Sequence, residues 1–189
     1  MRIISGKCRG RKLATPNGMA TRPTSDRVRE SIFNIISRRT EGARVLDLFA
    51  GTGALGMEAL SRNARSAIFV DKSPEACAII KKNISLCKFE NLSTVLCQDI
   101  TQRSVPQLPG KNKFDLVFMD PPYQQGLIEI IIGSNNFINL LAEDALIIAE
   151  HSAMENLSLP ISTLDISDQR KYGRTRISFL TLKLYRERD

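Results

Sequence analysis

The stretch Arg44-Val45-Leu46-Asp47-Leu48-Phe49-Ala50-Gly51-Thr52-Gly53-Ala54-Leu55-Gly56 decides the architecture. Its first six residues form a short, mostly apolar run that reads as a buried strand, and the rest matches G-x-G-x-x-G where that motif must lie, between a strand and a helix. Gly51 and Gly53 permit a tight turn with close approach of backbone to a ligand. Gly56 lets the following helix pack near the sheet. Asp47 stands out, because a charge inside a buried strand is costly unless it acts near the strand end.

Downstream the alternation continues. Residues 54–62 are expected as a helix, 67–70 as a strand, and 74–86 as a helix capped by Ser73 and begun by Pro74, with Ala76, Ile80, Ile84 and Cys87 along one side. Residues 92–97 and 114–119 follow as strands, 125–132 as a helix and 145–150 as a strand; residues 177–184, after the Gly173 break, complete an antiparallel hairpin. Repeated βα units force parallel neighbours with right-handed crossovers. The expected fold is therefore α/β, a Rossmann-like, mostly parallel doubly wound sheet with a C-terminal antiparallel hairpin. Ligands of such sheets bind beyond the C-terminal ends of the strands.

Upstream the chain changes character. Residues 2–5 and 12–15 are β-prone pieces separated by a Gly- and Arg-rich segment and followed by Pro16-Asn17-Gly18, which predicts a basic hairpin. Pro23 precedes Thr24-Ser25-Asp26, and Val28, Ile32, Ile35 and Ile36 recur at amphipathic-helix spacing, leaving Arg27, Arg38 and Arg39 to solvent. The 189 residues hold 27 Lys or Arg and 20 Asp or Glu, a net charge of +7. All of the excess lies in residues 1–43, where Arg2, Lys7, Arg9, Arg11, Lys12, Arg22, Arg27, Arg29, Arg38 and Arg39 face only Asp26, Glu30 and Glu41. The expected division is a basic, nucleic-acid-binding N-terminal hairpin and helix, residues 1–43, and one compact unit, residues 44–189.

Other classes are excluded on composition. Apolar residues at 42% and charged residues at 25% are those of a folded globular domain. The opening MRIISGKCRGRK lacks the apolar core of a secretory signal, and no run nears the roughly 18 residues that span a bilayer, so a cytoplasmic protein without membrane contact is expected. Cys8, Cys77, Cys87 and Cys97 contain no C-x-x-C, and with His151 the single histidine no metal cluster is expected. Cys77 and Cys97 read as buried small hydrophobes, no disulfide is expected, and His151 reads as structural.

Three further acids surround the strand ends. Asp71 closes the second strand, 20 residues after Gly51, where a carboxylate can accept from ribose hydroxyls. This suits a dinucleotide and an S-adenosyl group equally. Asp47 favours the latter, since it can hold a methionine-type amino group directly or through the glycine loop, as does Asp99, placed after the third strand to accept from an adenine amine. Then comes Asp120-Pro121-Pro122-Tyr123, directly after the strand at 114–119. Two prolines remove two donors, so the loop presents acceptors, the Asp120 carboxylate and the Pro121 carbonyl. Such a pair can draw a planar exocyclic amine toward tetrahedral geometry and localise its lone pair toward an incoming methyl group. Tyr123 can stack on the base.

Asp-Pro-Pro-Tyr resembles the signature of amino-directed S-adenosylmethionine-dependent methyltransferases, and DLFAGTGALGMEALSR (residues 47–62) resembles their cofactor motif. MRIISGKCRGRKL, RPTSDRVRESIFNII (residues 22–36) and KYGRTRISF (residues 171–179) are similar to the bacterial RsmD-type 16S rRNA guanine-N2 methyltransferases, over nearly the whole chain. The resemblance implies Asp47, Gly51 and Gly53 around the methionine part of the cofactor, Asp71 on its ribose, Asp99 near its adenine, and Asp120 to Tyr123 around the target base. It implies Arg22, Thr24 and Arg27 at the mouth, touching either cofactor or RNA. The implied partner is 16S rRNA or the small ribosomal subunit, and no metal is needed.

The residues themselves are compatible with this. The target must be unpaired or flipped out, and Arg2, Lys7, Arg9, Arg11 and Lys12 are expected to grip phosphates beside the pocket. Lys171, Arg174 and Arg176 are candidates for a second contact. Adenine N6, a protein amide, and a non-catalytic RNA-binding factor stand as alternatives.

Overall fold

The structure, a computed structural model, describes residues 1–16, 25–101, 113–159 and 163–183. Its helices are α1 (Asp26–Ile35), α2 (Ser37–Thr40), α3 (Ala54–Ser61), α4 (Pro74–Cys87), α5 (Leu127–Ile132) and α6 (Asn135–Ile138). Its strands are β1 (Arg44–Leu48), β2 (Ser66–Asp71), β3 (Ser93–Cys97), β4 (Phe114–Met119), β5 (Leu141–Ser152), β6 (Leu164–Tyr172) and β7 (Thr175–Leu182). They form one seven-stranded sheet ordered β3-β2-β1-β4-β5-β7-β6, with β1 to β5 parallel and β7 inserted antiparallel between β5 and β6. The expected mostly parallel sheet and closing hairpin are present.

Strand order reverses between β1 and β4, whose register sets Leu48 against Met119. The glycine loop and the Asp-Pro-Pro-Tyr loop therefore leave adjacent strands side by side. Alternation along β4 sends Leu116 and Phe118 into one core with α1, α3 and α4, and Val117 and Met119 into the other with α5 and α6.

The N-terminal segment differs from the expected hairpin in a telling way. Only one antiparallel bridge forms, Arg2 with Lys12, beside bonds from the Ile3 N–H to the Arg11 carbonyl at 3.0 Å and from the Gly10 N–H to the Ile3 carbonyl at 2.9 Å. The Leu13 N–H also reaches the Met1 carbonyl at 3.2 Å, but four donors of the first arm and turn go to α3. Ile4 and Ser5 donate to the two Glu58 oxygens at 2.7 and 3.0 Å, Lys7 to the Ser61 carbonyl at 2.8 Å, and Cys8 to Ser61 Oγ at 2.9 Å. A ladder cannot use donors that a neighbouring helix has taken. Gly6, at φ +82°, lies so close to α3 that a Cβ there would sit 1.9 Å from the Ser61 carbonyl oxygen. The covered α3 is buried on every side, polar Glu58 and Ser61 included.

Helix α1 begins where expected, with Ser25 Oγ accepting from the Val28 N–H at 3.3 Å. Its buried face is rotated by one position. Arg29, Ile32, Phe33 and Ile36 point inward, while Ile35 is 44% exposed. Arg29 takes an apolar position because its guanidinium meets Asp26 Oδ1 at 3.0 Å and Glu58 Oε2 at 3.9 Å. Cys97 is exposed, contrary to its expected burial, because it ends the edge strand β3; Cys77 and Cys87 are buried, and all four thiols are free. Arg22 and Thr24, and the Asn17-Gly18 part of the expected turn, lie outside the described residues.

Candidate active site

The glycine loop turns sharply through Phe49, Gly51 and Gly53, all at positive φ. Gly56 is needed for contact, since a Cβ there would meet Phe69 at 2.4 Å. Three side chains from three elements hold this loop and the start of α3. Asp47 Oδ2, on β1, accepts from the Gly56 N–H at 2.9 Å. Asp71, ending β2, accepts from the Gly51 N–H at 2.8 Å with Oδ2 and from the Ser73 N–H at 2.9 Å with Oδ1. Asn83, on α4, donates to the Thr52 carbonyl at 2.9 Å.

Asn83 escaped the sequence reading. It is fully buried and also clasps Ala14, accepting from its N–H at 2.7 Å and donating to its carbonyl at 3.1 Å. A polar residue at the same helical face as Ile80 and Ile84 was the available signal, because a buried amide needs built-in partners.

The carboxylates crowd one another. Burial pushes the Asp47 carboxyl up to about 8, the Gly56 N–H opposing and nearby Asp120 and Asp71 adding to the rise. The folded state thus holds this proton more tightly than the unfolded chain, whose value is 3.8. The contribution of Asp47 to stability is therefore complete below the unfolded value and is lost as pH rises toward about 8. Asp47→Asn is expected to flatten the pH dependence of the melting temperature across this window and raise it at the alkaline end. Thermal melts of both proteins from acid to pH 8 check this; parallel curves would contradict it.

Asp99 lies beyond β3 and uses Oδ1 to accept from the Thr101 N–H at 3.0 Å and hydroxyl at 2.6 Å, contacts that hold its carboxyl below the usual value. Asp120 is half-buried, directly after β4. Pro121 is buried and Pro122 exposed. Tyr123 is pinned through its hydroxyl, which donates to Glu150 Oε1 at 3.0 Å and lies 3.1 Å from Thr175 Oγ1. Burial, countered by Thr175 and reinforced by Glu150, pushes the phenol up to about 12, so it stays protonated and its ring direction is fixed. Glu150, on β5, was also missed; a buried acid ending an apolar strand was its signal. Glu155 latches the next turn, accepting from the Gln124 N–H with one oxygen and from the Ser152 N–H at 2.8 Å with the other. A cavity of about 430 Å³ opens here, lined by Pro121, Pro122, Tyr123, Glu150, His151 and Met154 among others.

His151 is buried. Its Nδ1 lies 3.0 Å from the Ser152 carbonyl, which can only accept, so Nδ1 carries the proton and Nε2 accepts from Ser178 Oγ at 2.8 Å. Burial lowers its pKa and the ring stays neutral. Among the described residues no group of three His, Cys, Asp or Glu side chains could hold a metal, and no helix is long and apolar enough to cross a membrane.

Asp47, Gly51, Gly53, Asp71 and Asp120 to Tyr123 thus gather at one end of the sheet, with Asp99 at its β3 side. Arg2, Lys7, Arg9, Arg11, Lys12 and Arg27 are all exposed. The ends of the basic hairpin reach the glycine loop, where Thr52 Oγ1 lies 3.3 Å from Met1 Sδ and Asn83 joins Ala14 to the Thr52 carbonyl, whereas its turn at residues 5–10 rests on Ser61, at the far end of α3 from that loop. The eight residues of α3 separate them by about 12 Å. Lys171 and Arg174 are exposed at the β6–β7 tip, where Arg174 precedes Thr175, whose Oγ1 lies 3.1 Å from the Tyr123 hydroxyl. Arg176 is engaged internally, donating to the Ala153 and Glu155 carbonyls.

The family described as conserved hypothetical protein 95 matches residues 1–181 of this chain. The chain is 39% identical over 159 residues to the Escherichia coli K12 protein named ribosomal RNA small subunit methyltransferase D, covering 82% of this chain and 76% of that one. A protein of the same name from Haemophilus influenzae is 36% identical over 160 residues, 85% of this chain and 83% of that one. The solved structure of yhhF from Escherichia coli matches with a TM-score of 0.82 at 34% identity, covering 97% of this chain and 98% of that chain.

Proposed function

The chain belongs to the family described as conserved hypothetical protein 95, and from this and the site we propose that it is a methyltransferase that transfers a methyl group from S-adenosylmethionine to the exocyclic N2 amine of a guanine in 16S rRNA of the small ribosomal subunit. The observation that carries this reading is the register of β1 with β4, which sets the carboxylate-held glycine loop beside Asp120-Pro121-Pro122-Tyr123.

The donor set suits a cationic cofactor. The Gly51 and Gly56 N–H groups, which in a dinucleotide site would face a pyrophosphate, donate to Asp71 and Asp47. Three carboxylates, Asp71, Asp99 and Asp120, stand at the strand ends beside the buried, protonated Asp47, an environment that favours an ammonium and a sulfonium and disfavours phosphate. Open space lies above Gly51, where a Cβ would meet nothing nearer than the Phe49 carbonyl at 4.0 Å. In this reading Asp47 acts through the glycine loop, Asp71 serves the ribose edge and Asp99 the adenine edge.

When bound, the cofactor supplies an electrophilic methyl group on sulfur. The chain's own residues prepare the amine. The Asp120 carboxylate and Pro121 carbonyl accept its two N–H bonds, which turns the nitrogen lone pair outward and stabilises the positive charge that grows as the N–C bond forms. Tyr123, held from behind by Glu150 and Thr175, supports the base ring. The proton of the methylated amine is taken up by Asp120 or water, and the thioether left when the methyl group is transferred would carry no charge.

RNA is held at two places in this reading, by Lys171 and Arg174 at the β6–β7 tip and by the basic hairpin. Replacing Arg9, Arg11 and Lys12 together is expected to weaken RNA binding and reduce its salt slope by about 3, one per phosphate contact, while cofactor affinity stays as in the wild type. Titrations across salt concentrations check this; equal losses of RNA and cofactor affinity would contradict the division of labour. The function itself is tested by supplying labelled cofactor with small subunits, naked rRNA, duplex DNA or protein. Label in guanine N2 of 16S rRNA is the expected result, and label confined to DNA or protein overturns the reading.

A further inference from the structure

We propose that Met154 forms a second stacking wall of the base pocket, so that the unpaired guanine lies between the Tyr123 ring and a methionine thioether. The inference rests on the reading that Asp120 to Tyr123 receive a nucleobase. Met154 lines the same cavity as Pro121, Pro122 and Tyr123. It is 86% exposed, the most exposed large apolar side chain among the described residues.

The turn that carries it is not loose. The Ala153 N–H donates to the Arg174 carbonyl at 2.9 Å, the Met154 N–H to Ser152 Oγ at 3.2 Å and the Glu155 N–H to the Ser152 carbonyl at 3.0 Å. Arg176 clamps the Ala153 and Glu155 carbonyls from outside, and Glu155 ties the turn to Gln124, the residue after Tyr123. The Met154 backbone is thus fixed relative to the catalytic loop while its side chain projects into water. Holding an apolar chain in water has no stability benefit in the isolated protein, and a partner that covers it recovers the lost burial.

The cavity chemistry names that partner. Among the described residues Glu129, Glu150 and Glu155 line it and no Lys or Arg does, a lining that disfavours phosphate and suits a group rich in N–H donors. The Watson–Crick edge of guanine presents N1–H beside the N2 amine, whereas adenine would set its N1 lone pair against these acceptors. Flipped bases are held by stacking between aromatic and apolar side chains, and the polarisable thioether packs well on an aromatic face.

The test compares wild type, Met154→Ala and Met154→Leu in methyl transfer to small subunits from cells lacking this protein, with cofactor affinity and melting temperature measured separately. Met154→Ala is expected to lower kcat/KM about tenfold, mainly through KM for the particle, and Met154→Leu to recover to within about threefold. Cofactor affinity and melting temperature are expected to match the wild type. An alanine variant within about twofold of wild type overturns the proposal, as does a loss shared by both variants and accompanied by a lower melting temperature. A wild type that methylates no rRNA overturns the functional reading and this inference with it. A fully active alanine variant overturns this inference alone.

Discussion

Asp120→Ala is expected to lower the methyl-transfer rate by about two to three orders of magnitude while RNA and cofactor binding stay close to wild type. The carboxylate is half-buried at the end of β4 and within electrostatic reach of Asp47 and Tyr123. In the proposed mechanism it supplies one of the two acceptors for the amine and the negative charge that balances the developing cation. Because that charge appears only as the new bond forms, its removal penalises the transition state far more than the bound substrate. Asp120→Asn keeps an oxygen acceptor but not the charge and is expected to fall between the two. Single-turnover rates with saturating cofactor and RNA measure this directly. A variant that still transfers methyl at the wild-type rate would remove Asp120 from the mechanism.

Glu58→Ala is expected to destabilise the fold by about 3–5 kcal/mol. Glu58 is fully buried on α3, where Arg62 Nε meets Oε1 at 2.8 Å, Arg29 Nε lies 3.9 Å from Oε2, and the Ile4 and Ser5 N–H groups donate to both oxygens. Among the described residues, its loss leaves Asp26 as the one carboxylate paired with the buried Arg29 guanidinium, whose Nε and Nη1 already lack hydrogen-bond partners, and leaves two backbone donors unsatisfied. Burial pulls the Arg29 pKa down, and the carboxylates of Asp26 and Glu58 are what hold it charged. Urea unfolding at neutral pH gives the energy, and hydrogen exchange at Ile4 and Ser5 shows whether the N-terminal segment detaches first. A loss under about 1 kcal/mol, no more than an ordinary hydrogen bond, would mean that the network is not a stabilising unit.

The catalytic end of the sheet was legible in the chain because its signals are local. Strand β4 runs over residues 114–119 as expected, and the loops after β1 and β4 are short, with glycine or proline dictating their paths. Adjacency of the two loops follows from the right-handed crossover rule and the strand order it produces. The covering of α3 was not legible. In ALGMEALS, Glu58 reads as the polar face of an amphipathic helix, and Arg29 as one more solvated arginine, until the N-terminal segment closes over both. The same holds for Asn83 and Glu150, whose partners lie 69 residues away at Ala14 and 27 away at Tyr123. The misplaced Ile35 has the same origin, since a paired buried arginine displaced the apolar stripe by one residue.

In the proposed two-contact reading, the separation of the basic turn from the glycine loop, about 12 Å along α3, gives the protein a way to measure its substrate. An RNA whose backbone passes both the β6–β7 tip and the N-terminal turn is tethered twice, and the second contact forms at the high effective concentration set by the first. A short oligonucleotide bearing the same guanine reaches only the mouth and forgoes that gain. Size and tertiary shape of the RNA, rather than the letters flanking the target, then decide which guanine is modified, and two copies of one sequence in differently folded RNAs are treated as different substrates.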